Sequence, residues 1–259
     1  MATQETFLPS IGFAGVGGFC ESANPTLIGG VNRGHATLVL LHECPNLKII
    51  GFEIQTDEFA IAKEKLKPYP NVELFNLGWG EAEKSGLVIS GARGIAGIYE
   101  TAGTGRAKFK KQEATASVKS MADWCDEKGV QTTNYLLIDV EGYEPKVIRG
   151  MHLNEEKNQR RFSVFQYELG GTWARNDPRH DKDWSQKIMA EYVVSFGYDL
   201  FLIGSQNWMK VQPAFFEEGS HMVNEGYGKF IQGNLLCVHK KFSAKSVQDL
   251  VFASANTVS

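Results

Sequence analysis

The chain has 259 residues, 42% of them hydrophobic and 22% charged, which suits one large domain able to bury a core without disulfides or metal. A formal net charge of −3 and the lack of a long basic run argue against nucleic acid as a partner. No apolar run approaches the ~20 residues of a membrane-spanning helix and no basic-then-apolar leader opens the chain, so a soluble, cytoplasmic protein without a membrane partner is expected.

In chain order, residues 1–26 read as an N-terminal extension or cover, with a glycine-rich turn at Gly15 and Gly17. The main domain is expected over 27–243 and a tail over 244–259. Asn24-Pro25-Thr26 makes a poor strand start by propensity. Lys48–Glu53 is short, β-branched and bounded by turn chemistry, so a buried strand is predicted there. Thr56–Leu66 follows as a helix, with Phe59, Ile61, Ala62 and Leu66 on its apolar side. Asn71–Leu77 alternates as a strand. Leu87–Lys111 is glycine-rich and without periodicity, and reads as a loop.

Val118–Lys128 is predicted as a short helix and Tyr135–Val140 as a buried strand ending in an acid. Glu144–Arg149 opens a helix with Pro145 in its first turn, where a missing amide proton costs nothing. Phe162–Leu169 is the next strand, then a polar insertion, Gly170–Asp183, then a helix around Trp184–Phe196. Tyr198–Ile203 and Asn234–His239 are the final strands, joined without a clear helix. Strands alternating with helices imply an α/β fold: a mostly parallel sheet, helices on both faces, and an antiparallel strand at one edge. The four cysteines, Cys20, Cys44, Cys125 and Cys237, form no CxxC pair. Reduced, buried thiols are expected in place of a zinc site or disulfide framework.

In such sheets ligands bind beyond the carboxyl ends of the strands. Gly29, Gly30, Asn32 and Gly34 can supply a tight turn that lets a ligand approach the backbone. Glu53 can end the second strand with an acceptor for ribose hydroxyls. The separation, 53 − 34 = 19 residues, fits the ~20 of a strand–helix–strand unit. The turn at Gly17 lies 53 − 17 = 36 residues before Glu53, too far for one unit. Asn76, Leu77 and Trp79 end the third strand, where Asn76 offers a polar edge and Trp79 a flat surface for an adenine ring.

Asp139-Val140-Glu141-Gly142, followed by Val147-Ile148-Arg149-Gly150, resembles the signature of the FkbM-type methyltransferases. That signature is a strand ending in Asp-x-Glu-Gly and a helix ending in Leu- or Ile-x-Gly. Gly29–Thr37, Gly51–Glu53, Asn71–Glu81, Val118–Trp124 and Gly233–Lys240 are similar to other parts of the family, so the resemblance spans about Leu27 to Lys240. It implies the class I methyltransferase (Rossmann-like) fold, S-adenosyl-L-methionine as cofactor, and O-methylation of a small-molecule or carbohydrate-like hydroxyl acceptor. One departure is Ile28, where the family carries an acid just before the glycine turn.

Within that reading the candidate catalytic residues are Asp139, Glu141 and Glu168, any of which can remove a hydroxyl proton. The candidate cofactor residues are Gly29, Gly30, Asn32, Gly34, Glu53, Asn76, Leu77, Trp79 and Asp139. Asp139 and Glu141 have strand-like i, i+2 spacing, but a third metal ligand is not identifiable and no metal is expected. Trp173, Arg175, Asp177, Arg179 and His180 in the insertion read as an acceptor-binding loop. Two alternatives remain: a methyltransferase-fold protein that binds cofactor weakly or not at all, motivated by Ile28, and an NAD-dependent oxidoreductase, since a glycine turn and Glu53 suit either nucleotide.

Overall fold

The computed structural model describes residues 19–90, 97–99, 114–169, 183–203, 208–216, 233–243 and 255–257. The apolar segments pair as β1 (Thr26–Gly29), β2 (Ile49–Phe52), β3 (Val72–Phe75), β8 (Tyr135–Ile138) and β9 (Val164–Leu169), all parallel to one another. Further along are β10 (Tyr198–Ile203), β11 (Trp208–Val211), β12 (Gly233–His239) and β13 (Ala255–Thr257). The order across this nine-stranded sheet is β3-β2-β1-β8-β9-β12-β10-β11-β13. β12 runs antiparallel to both β9 and β10, so the antiparallel set expected towards one edge is present and begins by inserting between two strands earlier in sequence. Thr26 belongs to β1 despite its poor local propensity, because pairing on both sides supplies what the local sequence does not.

Helices connect the parallel strands: α1 (His35–Glu43), α2 (Thr56–Leu66), α3 (Met121–Lys128), α4 (Glu144–Arg149), α5 (Glu156–Arg161) and α6 (Gln186–Ser195). Two helix starts are capped by serine, Ser120 accepting from the Asp123 amide and Ser185 from the Ile188 amide. In α2 Ala62 and Leu66 are buried as expected and Phe59 is half-buried, but Ile61 is exposed and Glu58 is buried. The cause is an ion pair. Glu58 is buried because it receives both Nε and Nη2 of Arg33, at 2.6 and 3.2 Å, and this joins α2 to the turn after β1.

Two predicted elements need correction. Residues 118–120 belong to a strand, β7 (Ala114–Ser120), and the helix begins at Met121. The glycine-rich stretch contains strands β5 (Lys84–Ser90) and β6 (Gly97–Tyr99), which join β7 and β4 (Gly78–Gly80) in a second sheet of order β4-β7-β5-β6. Glycine obscures strand periodicity because it leaves no side chain to alternate. Among the described residues no helix is long and apolar enough to cross a membrane.

The cysteine expectation holds for two of the four residues. Cys125 and Cys237 are buried thiols, but Cys20 and Cys44 are joined in a disulfide. Cys44 caps the C-terminal end of α1, and folding brings it against the segment ahead of β1. Phe19, next to the bridge, packs edge-on to Tyr135 and accepts a hydrogen bond from Asn134. The bridge thus ties the chain ahead of β1 to the domain. Closing a loop of 24 residues constrains the unfolded chain by roughly 3 kcal/mol. Denaturant unfolding should show a loss of about that size with reductant, and a Cys44→Ser variant should show the loss without any response to reductant.

Candidate functional site

Register decides the geometry. Gly29 pairs with both Phe52 and Ile138, Phe52 pairs with Phe75, and Ile138 pairs with Tyr167. The residues one step beyond these pairs are Gly30, Glu53, Asn76, Asp139 and Glu168. Five of the sequence-predicted site residues therefore lie in one row at the carboxyl edge of the parallel strands, where such sheets bind ligands.

The glycine turn is tight. Gly30 has φ of 83° and Gly34 of 79°, and Asn32 adopts the left-handed region at 52°. A Cβ on Gly30 would come within 1.7 Å of the Asp139 carbonyl oxygen, and the Asp139 amide donates to the Gly29 carbonyl at 3.0 Å. Only glycine permits this approach of the turn to the end of β8. Ile28, where the family carries an acid, is wholly buried in the core.

Glu53 is buried, with each carboxylate oxygen engaged by backbone. Oε2 accepts from the Asn32 amide at 2.7 Å and Oε1 from the Gln55 amide at 2.8 Å. Burial pushes its pKa up while these two hydrogen bonds oppose the rise. Asn76 is exposed; its Nδ2 donates to the Glu53 carbonyl at 2.8 Å and its Oδ1 accepts from Thr56 at 3.1 Å, so it ties the ends of β2 and β3 to the start of α2. Leu77 is half-buried at the same end.

Trp79 departs from expectation. It is 2% exposed, lies 4.5 Å from the Phe52 ring, and occupies the space a Gly29 side chain would need. Its indole is core beneath the turn rather than an open face for an adenine ring. Phe52, Phe75 and Trp124 complete this aromatic cluster. Sequence pattern could not separate the two cases, because a tryptophan near a strand end serves either.

The acidic side of the row is the most perturbed. Burial, and then the charges of Glu168, Glu141 and Glu144, push the Asp139 carboxyl well above the ordinary carboxylate range, and Glu168 is the next residue in register on β9. Glu141 is half-buried in the left-handed region at φ of 56°, followed by Gly142 at 95°, so the motif's Glu-Gly forms the turn into α4. Among the described residues no group of three or more His, Cys, Asp or Glu side chains is placed to hold a metal.

Glu144 is a participant the sequence reading missed. It is wholly buried, its Oε1 accepts from the Val140 and Gly142 amides at 3.0 and 3.3 Å, and burial with the Glu168 charge raises its pKa to about 8. An acid in a first helical turn normally reads as a favourable charge at the helix start. Here the side chain folds back on the turn that precedes it. Gly150, which closes the motif, is required by another close approach: a Cβ there would lie 2.0 Å from the Gly80 carbonyl oxygen. The insertion residues Trp173, Arg175, Asp177, Arg179 and His180 lie outside the described residues, as do Gly15 and Gly17. Trp184, just after the insertion, stacks 4.6 Å from the guanidinium of Arg149, which also donates to Glu81 at 2.8 Å.

The strand order, the glycine turn and the row of acids define a class I methyltransferase fold. The FkbM methyltransferase domain matches residues 29–200, more than half of the chain, and the chain belongs to that family. The family and fold imply S-adenosylmethionine as methyl donor. Among solved structures, the chain is similar to precorrin-6Y C5,15-methyltransferase from Geobacter metallireducens GS-15, at 10% identity over 84% of this chain and 80% of that one, with a TM-score of 0.40. An rRNA methylase from Streptococcus thermophilus gives 9% identity, coverage of 85% and 91%, and a TM-score of 0.43. The METTL16 methyltransferase domain gives 10%, coverage of 88% and 65%, and 0.45. No curated protein sequence matches the chain.

Because Glu144 is protonated more readily in the folded chain than its ordinary value of 4.5 allows, its protonated form stabilises the fold below that value. The contribution is lost as pH rises towards about 8. A Glu144→Gln variant keeps an acceptor for the two amides and cannot ionise. Its unfolding free energy should fall less between pH 5 and 8 than that of the parent, by on the order of a few kcal/mol. Equal pH slopes by denaturant titration would count against a protonated Glu144.

Proposed function

We propose that the protein is an S-adenosylmethionine-dependent O-methyltransferase acting on a hydroxyl group of a small-molecule or carbohydrate-like acceptor. The observation that carries this reading is the glycine turn packed on the backbone of Asp139, with Glu168 next to Asp139 in the register of β8 and β9. The residues present fit the donor. Gly29, Gly30, Asn32 and Gly34 form a turn with no room for a side chain at its closest point, and Glu53 stands in the same row as an acceptor. Each Glu53 oxygen already takes one backbone amide and retains acceptor capacity for ribose hydroxyls. Asn76 and Leu77 would border the adenine, with Trp79 supporting them from the core.

When bound, the donor supplies a methyl group made electrophilic by its sulfonium. What remains for the chain is to place the acceptor oxygen in line and to take its proton. The ionised member of the Asp139–Glu168 pair is the base, and its raised affinity for a proton suits it to an alcohol better than an ordinary carboxylate would. Glu141, in the strained turn beside the pair, adds negative charge that strengthens this tendency. The acidic rim and the net charge of −3 favour a small acceptor over a polyanion such as nucleic acid.

Calorimetric titration with S-adenosylmethionine, S-adenosylhomocysteine and NAD separates this reading from its rivals. Tight binding of NAD alone would overturn it in favour of an oxidoreductase, and no binding of any ligand would favour a degenerate methyltransferase fold. Replacing Glu53 by alanine should weaken adenosine-containing ligands by roughly 1.5–3 kcal/mol if the ribose bonds to this carboxylate. For catalysis, Asp139→Asn should reduce single-turnover methyl transfer to hydroxyl acceptors about 10²–10⁴-fold. An Asn variant as fast as the parent would remove Asp139 as base.

A further inference from the structure

His239 ends β12 at the opposite end of the sheet from the row of acids, beside the start of β9, and is only 4% exposed. Both of its ring nitrogens are committed. Nδ1 accepts from the backbone amides of Lys241 and Phe242, at 3.1 and 3.2 Å, and Nε2 lies 2.9 Å from the Phe196 carbonyl oxygen. An amide N–H can only donate and a carbonyl oxygen can only accept. The arrangement therefore fixes one state, a neutral imidazole with its proton on Nε2. The ring is also walled in. Phe242 stacks on it at 4.6 Å and Tyr198 meets it edge-on at 4.8 Å. A Cβ on Gly197, at φ of 90°, would lie 3.1 Å from Nε2, so the turn between α6 and β10 rests directly against the ring. Main-chain bonds join the same parts. The His239 amide donates to the Ser163 carbonyl at 2.8 Å, the Lys240 amide to the Gly197 carbonyl at 3.0 Å, and the Ser243 Oγ to the His239 carbonyl at 2.6 Å. Residues 240–243 open the C-terminal segment, whose strand β13 lies parallel to β11 at the edge of the sheet.

We propose that His239 is an acid-operated latch on the C-terminal segment: neutral, it holds residues 240–243 against the turn between α6 and β10, and protonated, it frees them. A proton on Nδ1 puts a third donor against two N–H groups, and both hydrogen bonds are lost in a buried place. The charged groups around the ring are Lys240 and Lys241 on its own turn, Glu156 and Arg160 on α5, and Asp199 on β10. Both acids are engaged by the lysines, Glu156 by Lys241 at 3.4 Å and Asp199 by Lys240 at 3.5 Å, and Arg160 stacks 4.4 Å from the Phe242 ring. Burial holds the imidazole below its ordinary value of 6.5 against the Phe196 hydrogen bond; Lys241 and Lys240 add to the lowering and Glu156 opposes it. A group lowered in the folded state stabilises the fold fully above its ordinary value, and that contribution is lost as pH falls through the folded one. The latch is closed at neutral pH and opens in acid. It stands apart from the methyltransferase reading, because ring and row lie at opposite ends of the sheet.

The test is nuclear magnetic resonance of the full chain. At about pH 7.5 the ring nitrogens should show a neutral imidazole protonated on Nε2 that titrates below the ordinary range. Amide hydrogen exchange, corrected for its intrinsic pH dependence, should lose protection more than about tenfold at Lys241, Phe242, Ser243 and β13 between about pH 7.5 and about pH 5. The loss should share the midpoint of the ring's own titration, while Leu136 and Leu137 of β8 stay protected. His239→Asn keeps a short side-chain acceptor for the two amides and does not titrate, so its protection should be equal at both pH values. A proton on Nδ1 at neutral pH, protection that does not follow the ring, or a loss spread equally over β8 would overturn the latch. Opening at residues 241–243 with β13 still protected would overturn the release of the segment. An Asn variant that folds and opens in acid as the parent does would overturn the role of the imidazole, and the parent's own titration decides the matter if that variant does not fold.

Discussion

The site depends on one close approach: the turn at Gly30 packs against the carbonyl of Asp139 with no space for a side chain between them. That contact holds the ends of β1 and β8 together, and the register of the parallel strands does the rest. Because β2 and β3 end level with β1, and Ile138 at the end of β8 pairs with Tyr167 of β9, Glu53, Asn76 and Glu168 fall into the same row. A slip of one residue in any strand would turn its side chains to the opposite face.

The row is divided by chemistry. On the side of β2 and β3, carboxylate and amide groups are spent on the backbone: Glu53 secures the Asn32 amide, and Asn76 secures the end of β2. These residues order the turn and still retain capacity for a ligand. On the side of β8 and β9, acids lie near acids, and burial with the neighbouring charges raises the pKa of Asp139. The first side is the one we propose for recognition and the second the one we propose for proton transfer. The motif's Gly142 and Gly150 serve both sides, one turning the chain into α4 and the other letting that helix sit on β4.

Ile28 stands where the resemblance leads one to expect an acid before the glycine turn. Its side chain is wholly buried in the core formed with Leu40, Leu47 and Leu137. The turn it precedes is ordered instead by Glu53, through the Asn32 amide, and by the Arg33–Glu58 ion pair on the helix that follows β2. Both partners come from outside the turn, so neither is visible in the local sequence.

Most of the parallel half was legible from the sequence by itself: apolar runs at β2, β3, β8 and β9, the starts of α2 and α4, and the Asp139–Gly150 motif are properties of neighbouring residues. So were the five residues of the row, because strand ends follow from where apolar runs stop. What only the tertiary structure decided were relations between distant residues. Neighbouring sequence could not show the Cys20–Cys44 bridge, the second sheet built from a glycine-rich stretch, the burial of Trp79 beneath Gly29, or the return of Glu144 to its own turn. Local propensity acts over a few residues, whereas burial and carboxyl pairing depend on which strands meet. Asp139 and Glu168 are ordinary acids in the chain, and the parallel pairing of β8 with β9 sets them side by side.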